Sequence, residues 1–303
     1  MKLVLANNQS QHFRDFYAGL NDQIDGGLAY ASYNDLVFLF NTAERPLDVV
    51  FADTAKSLRD FAGIYINGYL SSYELAASVA EACSHLEIPF VNQEMAHAPS
   101  LSKLTMHVKL AASSVSAPAT IGASKKALLA FCSSQTAVAY PAILKRADAD
   151  RGIDNFKVKS YEEMISLLQE QPDRSLWLLQ QFIDNDGFYL VSYYGDEPKF
   201  CIYRSLEKRP DNNEQKAHMF KPVGGANARE IAIAELDKAI LDETAKAVRA
   251  LDRQIGSVDC LLDKATGKVY ILEVNYNPQL VTIETLKEIR VRAFVDFMNK
   301  LGS

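Results

Sequence analysis

The sequence predicts an α/β chain whose C-terminal half turns to α+β. Short apolar runs alternate with amphipathic stretches through the first hundred residues, as strands and helices alternate in a parallel layer. Further on, strand-like runs come in pairs joined by short turns that contain glycine, the pattern of antiparallel hairpins. Length agrees: 303 residues with 48% hydrophobic composition suffice for two or three domains, each burying its own core.

Taken in order, Lys2–Ala6, Leu36–Phe40, Asp48–Ala52 and Gly63–Asn67 read as buried strands bounded by Asn, Asp, Gly and Pro. Ser72 to Leu86 reads as a helix, with serines at its start, Glu74 in the first turn and Leu75, Val79 and Leu86 at helical spacing. Pro89 to Asn92 is a further short strand. No G-x-G-x-x-G follows the first strand, so a dinucleotide-binding reading loses its main support. Ser100 to Ala112 is a helix carrying Lys103, Ala137 to Lys145 an apolar strand ending in a lysine, and 146–154 a polar, turn-rich loop. Tyr161 to Gln169 is a helix and Leu176 to Ile183 a strand. Tyr189–Tyr194 and Lys199–Arg204 form a hairpin around Gly195-Asp196-Glu197-Pro198. Residues 205–229 read as a loop by composition, and Ile231 to Leu251 as a long amphipathic helix.

Composition narrows the function. A net charge of −6 argues against nucleic acid as the main partner, since phosphate backbones need a basic field. Cys83, Cys132, Cys201 and Cys260 lie far apart with no C-x-x-C pair, which argues against zinc and against a disulfide framework. The apolar runs fall far short of the ~20 residues of a membrane span. The N-terminus turns polar at Asn7, too soon for a signal peptide, so the expectation is a cytoplasmic protein with no membrane partner.

The most informative segment is Ser257 to Asn275. Two strand-like runs, Ser257–Asp263 and Lys268–Asn275, flank Lys264-Ala265-Thr266-Gly267. Side chains alternate along a strand, so Glu273 and Asn275 share a face while Val274 points away, and Asp259 lies on the partner strand. Two carboxylates and an amide at a hairpin's end are hard oxygen donors suited to Mg2+. An edge hairpin with merely solvated acids would carry the same letters, but a Glu set between Tyr270-Ile271-Leu272 and Val274 is costly without a partner.

Asp259, then Leu272-Glu273-Val274-Asn275, then Pro278 resemble the magnesium-binding signature of the ATP-grasp superfamily, and further motifs fall in that superfamily's order. Ser102-Lys103-Leu104 is similar to the first nucleotide-contacting lysine, and Ala142-Ile143-Leu144-Lys145 to the strand carrying the second. Leu178 to Ile183 resembles the strand whose end cups adenine, which implies Gln181, Phe182, Ile183 and Asp184 as nucleotide contacts. Gly224-Gly225-Ala226 resembles a loop of the glutathione-synthetase-like and ribosomal-protein glutamate ligase branch. The resemblance implies an ATP-grasp fold in three parts. A Rossmann-like pre-ATP-grasp domain spans residues 1–98, a central subdomain 99–185, and a C-terminal subdomain with the Mg2+ and ATP site 186–303.

By the same resemblance, Asp259, Glu273 and Asn275 hold Mg2+, Lys103 and Lys145 hold ATP, and Arg204 and Lys221 are catalytic. The implied activity is an ADP-forming carboxylate–amine ligase working through an acyl phosphate, with small-molecule or peptide substrates and, by analogy only, a homo-oligomeric state. Departures from the pattern keep a second reading open. Only Gly152 remains in the flap at 146–157, where the family carries several glycines, and Phe188-Tyr189-Leu190 replaces a charged pair. These favour a nucleotide-binding regulator or scaffold with a degenerate site. The histidines carry no metal or nucleophile spacing, and His85 and His107 read as helix-surface residues.

Overall fold

The computed structural model describes residues 1–7, 10–43, 45–69, 72–97, 99, 102–134, 137–147, 154–205, 228–276 and 287–302. Its first sheet is parallel and joins β1 (Lys2–Leu5), β2 (Leu28–Ala31), β5 (Gly63–Ile66) and β6 (Phe90–Val91) in the order β2-β1-β5-β6. A parallel strand covered on both faces needs a continuous apolar run, and Leu3, Val4, Leu5, Ile64, Tyr65 and Ile66 are all 0% exposed. Alternate residues serve different faces. Leu3, Leu5, Ile64 and Ile66 pack with Ala76, Val79 and Cys83 of helix α2 (Tyr73–His85). Val4 and Tyr65 pack instead with Tyr17 of α1 (Gln11–Ala18) and Phe294 of α8 (Lys287–Lys300).

The second sheet is antiparallel, in the order β7-β10-β8-β9, from β7 (Thr120–Ser124), β8 (Ala142–Arg146), β9 (Asn155–Val158) and β10 (Leu176–Gln181). Leu144, Trp177 and Leu179 bury one face against Leu128 of α5 (Lys125–Cys132) and Met164 of α6 (Tyr161–Leu168). Alternation sends Lys145, next to Leu144, to the other face.

The third sheet is also antiparallel. It runs β13-β12-β11-β14-β15, built from β11 (Gly187–Tyr194), β12 (Glu197–Ser205), β13 (Ala228–Ile231), β14 (Ile255–Leu262) and β15 (Val269–Asn275). Val191, Cys201, Val258, Cys260 and Val274 face helix α7 (Lys238–Leu251). Tyr194, Phe200 and Ile202 face α8, so this helix lies between the third sheet and the parallel one.

Several elements differ from the sequence reading. Leu36–Phe40 and Asp48–Ala52 are not strands of the parallel sheet: β3 (Leu36–Phe40) and β4 (Leu47–Phe51) pair with each other as a separate hairpin, leaving Phe40 66% exposed. A run of apolar residues specifies a strand but not which side of it gets covered. The long helix starts at Lys238 rather than Ile231. Ile231 pairs with Cys201 at the sheet edge, and Asp237 caps the helix, its Oδ1 accepting from Ala239 N at 2.8 Å. Strand β8 begins at Ala142, directly after Pro141, which has no N–H to give a ladder. The strand reading over Leu176–Ile183 ends at Gln181. Elements α1, β2, β7, α5, β9 and α8 answer to no element of the sequence reading. Among the described residues no helix is long and apolar enough to cross a membrane.

Candidate active site

The site is built around β15, an edge strand of the third sheet. Edge strands expose unpaired backbone groups, and here several are covered. Ser116 Oγ donates to Val269 O at 2.7 Å, and Ile271 N donates to Ser116 O at 2.7 Å. Val274 N lies 3.3 Å from Met106 Sδ, and Arg253 Nη1 donates to Val274 O. Met106 belongs to α4 (Lys103–Ala112), so the cover of the edge strand also brings the start of that helix to the acidic end of the hairpin.

The register places the acids. Asp259 pairs with Glu273 and Ser257 with Asn275, and a bulge at Leu272 separates Glu273 from Ile271, which pairs with Cys260. A bulge adds one residue and re-aims the side chains beside it, so Glu273 stands opposite Asp259. Asn275 Nδ2 donates to Asp259 Oδ2 at 3.5 Å. Asp259 Oδ1 is buried with no hydrogen-bond partner among the described residues. Burial, and then the charge of Glu273, push the Asp259 carboxyl up to about 7. Two carboxylates and an amide with one buried oxygen left unpaired form a donor set that fits a hard divalent cation such as Mg2+.

Three cationic side chains converge on these acids. Lys103 is the first residue of α4, where the helix dipole disfavours positive charge. Its Nζ lies 3.7 Å from Glu273 Oε1, which offsets that cost. A capping box fixes the helix start, with Ser102 N donating to Thr105 Oγ1 at 3.0 Å, and Lys103 N donates to Ala147 O at 3.1 Å. Lys145 comes from β8 and is buried. Burial pulls its ammonium down to about 8, while Glu273 and Asp259 pull the other way and Lys103 adds to the fall. Arg204 comes from β12, with its guanidinium 5.9 Å from the Phe188 ring centre, and its charge lowers Asp259. Lysine and arginine from two sheets and one helix thus meet two carboxylates, an arrangement able to hold a metal together with anionic oxygens.

His107 departs from the surface reading. It is half-buried one turn after Lys103, its Nε2 3.5 Å from Gln180 Nε2, and Gln180 donates to Thr120 Oγ1 at 3.0 Å. Burial, then Lys145 and Lys103, push the ring down to about 4, so it is neutral at physiological pH. The i,i+4 spacing from Lys103 was the available signal. His85 is exposed and pairs with Glu81 at 3.1 Å, as a surface histidine does.

Residues Gln181 to Asp184 lie at the end of β10, in a self-paired loop. Gln181 N donates to Ala119 O at 2.8 Å, and the Phe182 ring lies under Lys157 Nζ at 3.6 Å. Ile183 O accepts from Asn185 Nδ2 at 2.8 Å, and Asp184 O from Lys264 N at 3.0 Å. The Asp184 side chain is 71% exposed, with Lys264 Nζ 3.8 Å away. Lys221, Gly224-Gly225-Ala226, Pro278 and Gly152 lie outside the described residues. Sequence reasoning missed Arg253 and Glu94, whose buried pairing joins residues 159 positions apart and leaves no local pattern.

No protein-family description and no curated protein matches the chain. Solved structures do. The ATP-grasp ligase PsnB, complexed with a minimal precursor, superposes with a TM-score of 0.67 at 13% identity, covering 98% of this chain and 97% of that one. The chain has the ATP-grasp fold. D-alanine–D-alanine ligase from Bacillus anthracis, complexed with ATP, has a TM-score of 0.60 at 16% identity over 100% of this chain and 96% of its own. The macrocyclase MdnC from Microcystis aeruginosa MRC, bound with precursor peptide MdnA, has a TM-score of 0.63 at 11% identity over 98% and 99%. The ATP-grasp likeness extends over the parallel sheet as well as over the two antiparallel ones.

Proposed function

We propose that the chain is an ATP-dependent, ADP-forming carboxylate–amine ligase that activates a carboxylate as its acyl phosphate and acts on an amino acid or peptide. The observation that carries this reading is the buried Asp259 Oδ1, unpartnered among the described residues, opposite Glu273, with Lys103 3.7 Å from that glutamate and Lys145 buried nearby. Such a cluster is expensive when empty and well suited to polyphosphate with a divalent metal. Asp259, Glu273 and Asn275 would hold Mg2+, which when bound neutralises phosphate charge. Lys103 and Lys145 bring positive charge to the same point, and the neutral His107 adds none in a crowded cationic corner. Gln181 to Asp184 would line the adenosine end. Arg204 would face the activated carboxylate and stabilise the oxyanion as the amine attacks. Lys221 is assigned a phosphate contact from the 205–229 segment. A peptide acceptor draws support from PsnB and MdnC, both solved with precursor peptides.

The test is ADP release from ATP and Mg2+ with pooled amino acids and short acidic peptides, with Glu273→Gln as control. Turnover by wild type that the control lacks is the expected result. Tight nucleotide binding with no turnover in any pool would favour the regulator reading, and no nucleotide binding at all would overturn the assignment.

A further inference from the structure

The chain just ahead of β14 ties the acidic end of β15 to the parallel layer. Arg253 is 5% exposed and Glu94, in helix α3 (Glu94–His97), is 1% exposed. Arg253 Nε lies 3.1 Å from Glu94 Oε1, and its Nη1 donates to the carbonyl of Val274, the residue between Glu273 and Asn275. The seat is braced from several sides. Tyr69 OH donates to Glu94 Oε1 at 3.3 Å, and the Tyr69 ring stacks on Tyr276 with centroids 4.4 Å apart. Arg253 lies 5.8 Å from the Tyr276 ring centre. Gln254 Oε1 accepts from both Asn92 N and Gln93 N, at 2.8 and 2.7 Å, which fixes the neighbouring backbone to the start of α3.

A buried ion pair is a poor device for stability alone. Removing both charges from water costs several kcal/mol, and an apolar pair of similar volume often does as well or better. A planar guanidinium, however, holds two acceptors at a fixed angle. Here one acceptor belongs to the parallel layer and the other to the backbone that aims the acidic residues. Among the described residues no further strand flanks the outer edge at Val274, and Met106 Sδ, which faces the Val274 N–H, is a weak acceptor.

We propose that Arg253 is a positioning residue for the acidic site: it holds Glu273 and Asn275 in register through the Val274 carbonyl, and Glu94 holds Arg253. The parallel layer is thereby part of the metal site without contributing a ligand to it. This rests on the assignment of Mg2+ to Asp259, Glu273 and Asn275 above.

Calorimetry of ADP binding with Mg2+ and with EDTA separates the metal-dependent part of affinity from the rest. In Arg253→Lys and Glu94→Gln the metal-dependent part should fall about tenfold, the lower range for groups that orient metal ligands. ADP affinity in EDTA should stay within about twofold. The double variant Glu94→Met/Arg253→Met removes both buried charges. It should melt at or above the wild-type temperature and keep the tenfold loss, a separation that a merely structural pair would not show. Circular dichroism confirms folding, and Glu94→Gln, nearly isosteric, carries the test if the Arg253 variants do not fold. Unchanged metal dependence in the folded variants would overturn this inference and leave the ligase reading standing. A wild type whose ADP affinity ignores Mg2+ would overturn both.

Discussion

The acidic end of the β14–β15 hairpin and the loop from Gln181 to Gly187 treat their polar groups in opposite ways. In the loop, Ile183 O, Asp184 O and Asp186 are all paired, the last with Lys264 Nζ at 2.7 Å. At the hairpin, Asp259 Oδ1 is buried without a partner among the described residues, and Lys145 is buried beside other charges. A self-satisfied loop holds its shape without ligand. Crowded buried charges with one carboxylate oxygen left unsatisfied are a standing cost that a bound cation and anionic oxygens can relieve, so the two regions should respond differently to the same kind of substitution.

The largest effect should come from the unpaired end. Asp259→Asn should weaken metal-dependent ADP affinity about 100-fold or more, beyond what loss of an orienting group costs. It should also raise the melting temperature of the ligand-free protein, because a buried charge is gone. Calorimetry and thermal denaturation on the same sample check both halves, and a lower melting temperature would mean that the carboxylate is already compensated.

Lys145→Met follows. Nucleotide affinity should drop at least about tenfold for loss of a buried charge-assisted contact, while the ligand-free protein gains a few degrees of stability. The sign follows from linkage. The folded ammonium titrates at about 8 against 10.5 for an ordinary lysine, so the folded state binds fewer protons between those values. The penalty is full below about pH 8 and fades as pH rises toward 10.5. The stability gap between variant and wild type should therefore narrow across that window in thermal melts.

His107 gives a smaller effect at acid pH. Its folded value of about 4 lies below the ordinary 6.5, so the unfolded chain binds the extra proton. Its contribution is full above about pH 6.5 and is lost as pH falls toward 4. His107→Gln should remove that slope, and urea titrations at pH 7, 5.5 and 4.5 would show whether the variant loses less stability than wild type.

Lys264→Ala should do least. Its partners Asp184 and Asp186 are 71% and 76% exposed, and a solvent-screened ion pair at the surface contributes little. ADP affinity within about twofold of wild type is the expected calorimetric result. A tenfold loss would show that the loop is held for the nucleotide and would erase the contrast with the hairpin.

The hairpin was legible because its information is local. Strand alternation puts Glu273 and Asn275 on one face, and a four-residue turn brings Asp259 back beside them. The apolar strands Lys2–Leu5 and Gly63–Ile66 were legible because a doubly covered strand must be apolar throughout. Leu36–Phe40 has an equally apolar sequence yet lies in a separate two-stranded hairpin that buries one face and leaves Phe40 exposed, since periodicity cannot say which neighbour covers a face. Helix α8 shows the converse: it buries Phe294 and Met298 in the core, together with the charged Arg290.

By itself, then, the sequence determined the apolar strands Lys2–Leu5 and Gly63–Ile66 of the parallel layer, most of the later strands and helices, and the placing of Glu273 and Asn275 on one strand face with Asp259 on its partner, because each follows from residue periodicity or from a turn spanning a few positions. Only the tertiary structure decided that Leu272 bulges, that Met106 and Arg253 cover the edge of β15, and that Glu94 of the parallel layer grips Arg253. The Met106–Val274 and Glu94–Arg253 contacts join residues more than 150 positions apart. Their energies depend on desolvation and geometry that arise only once three sheets have packed, so no spacing along the chain could encode them.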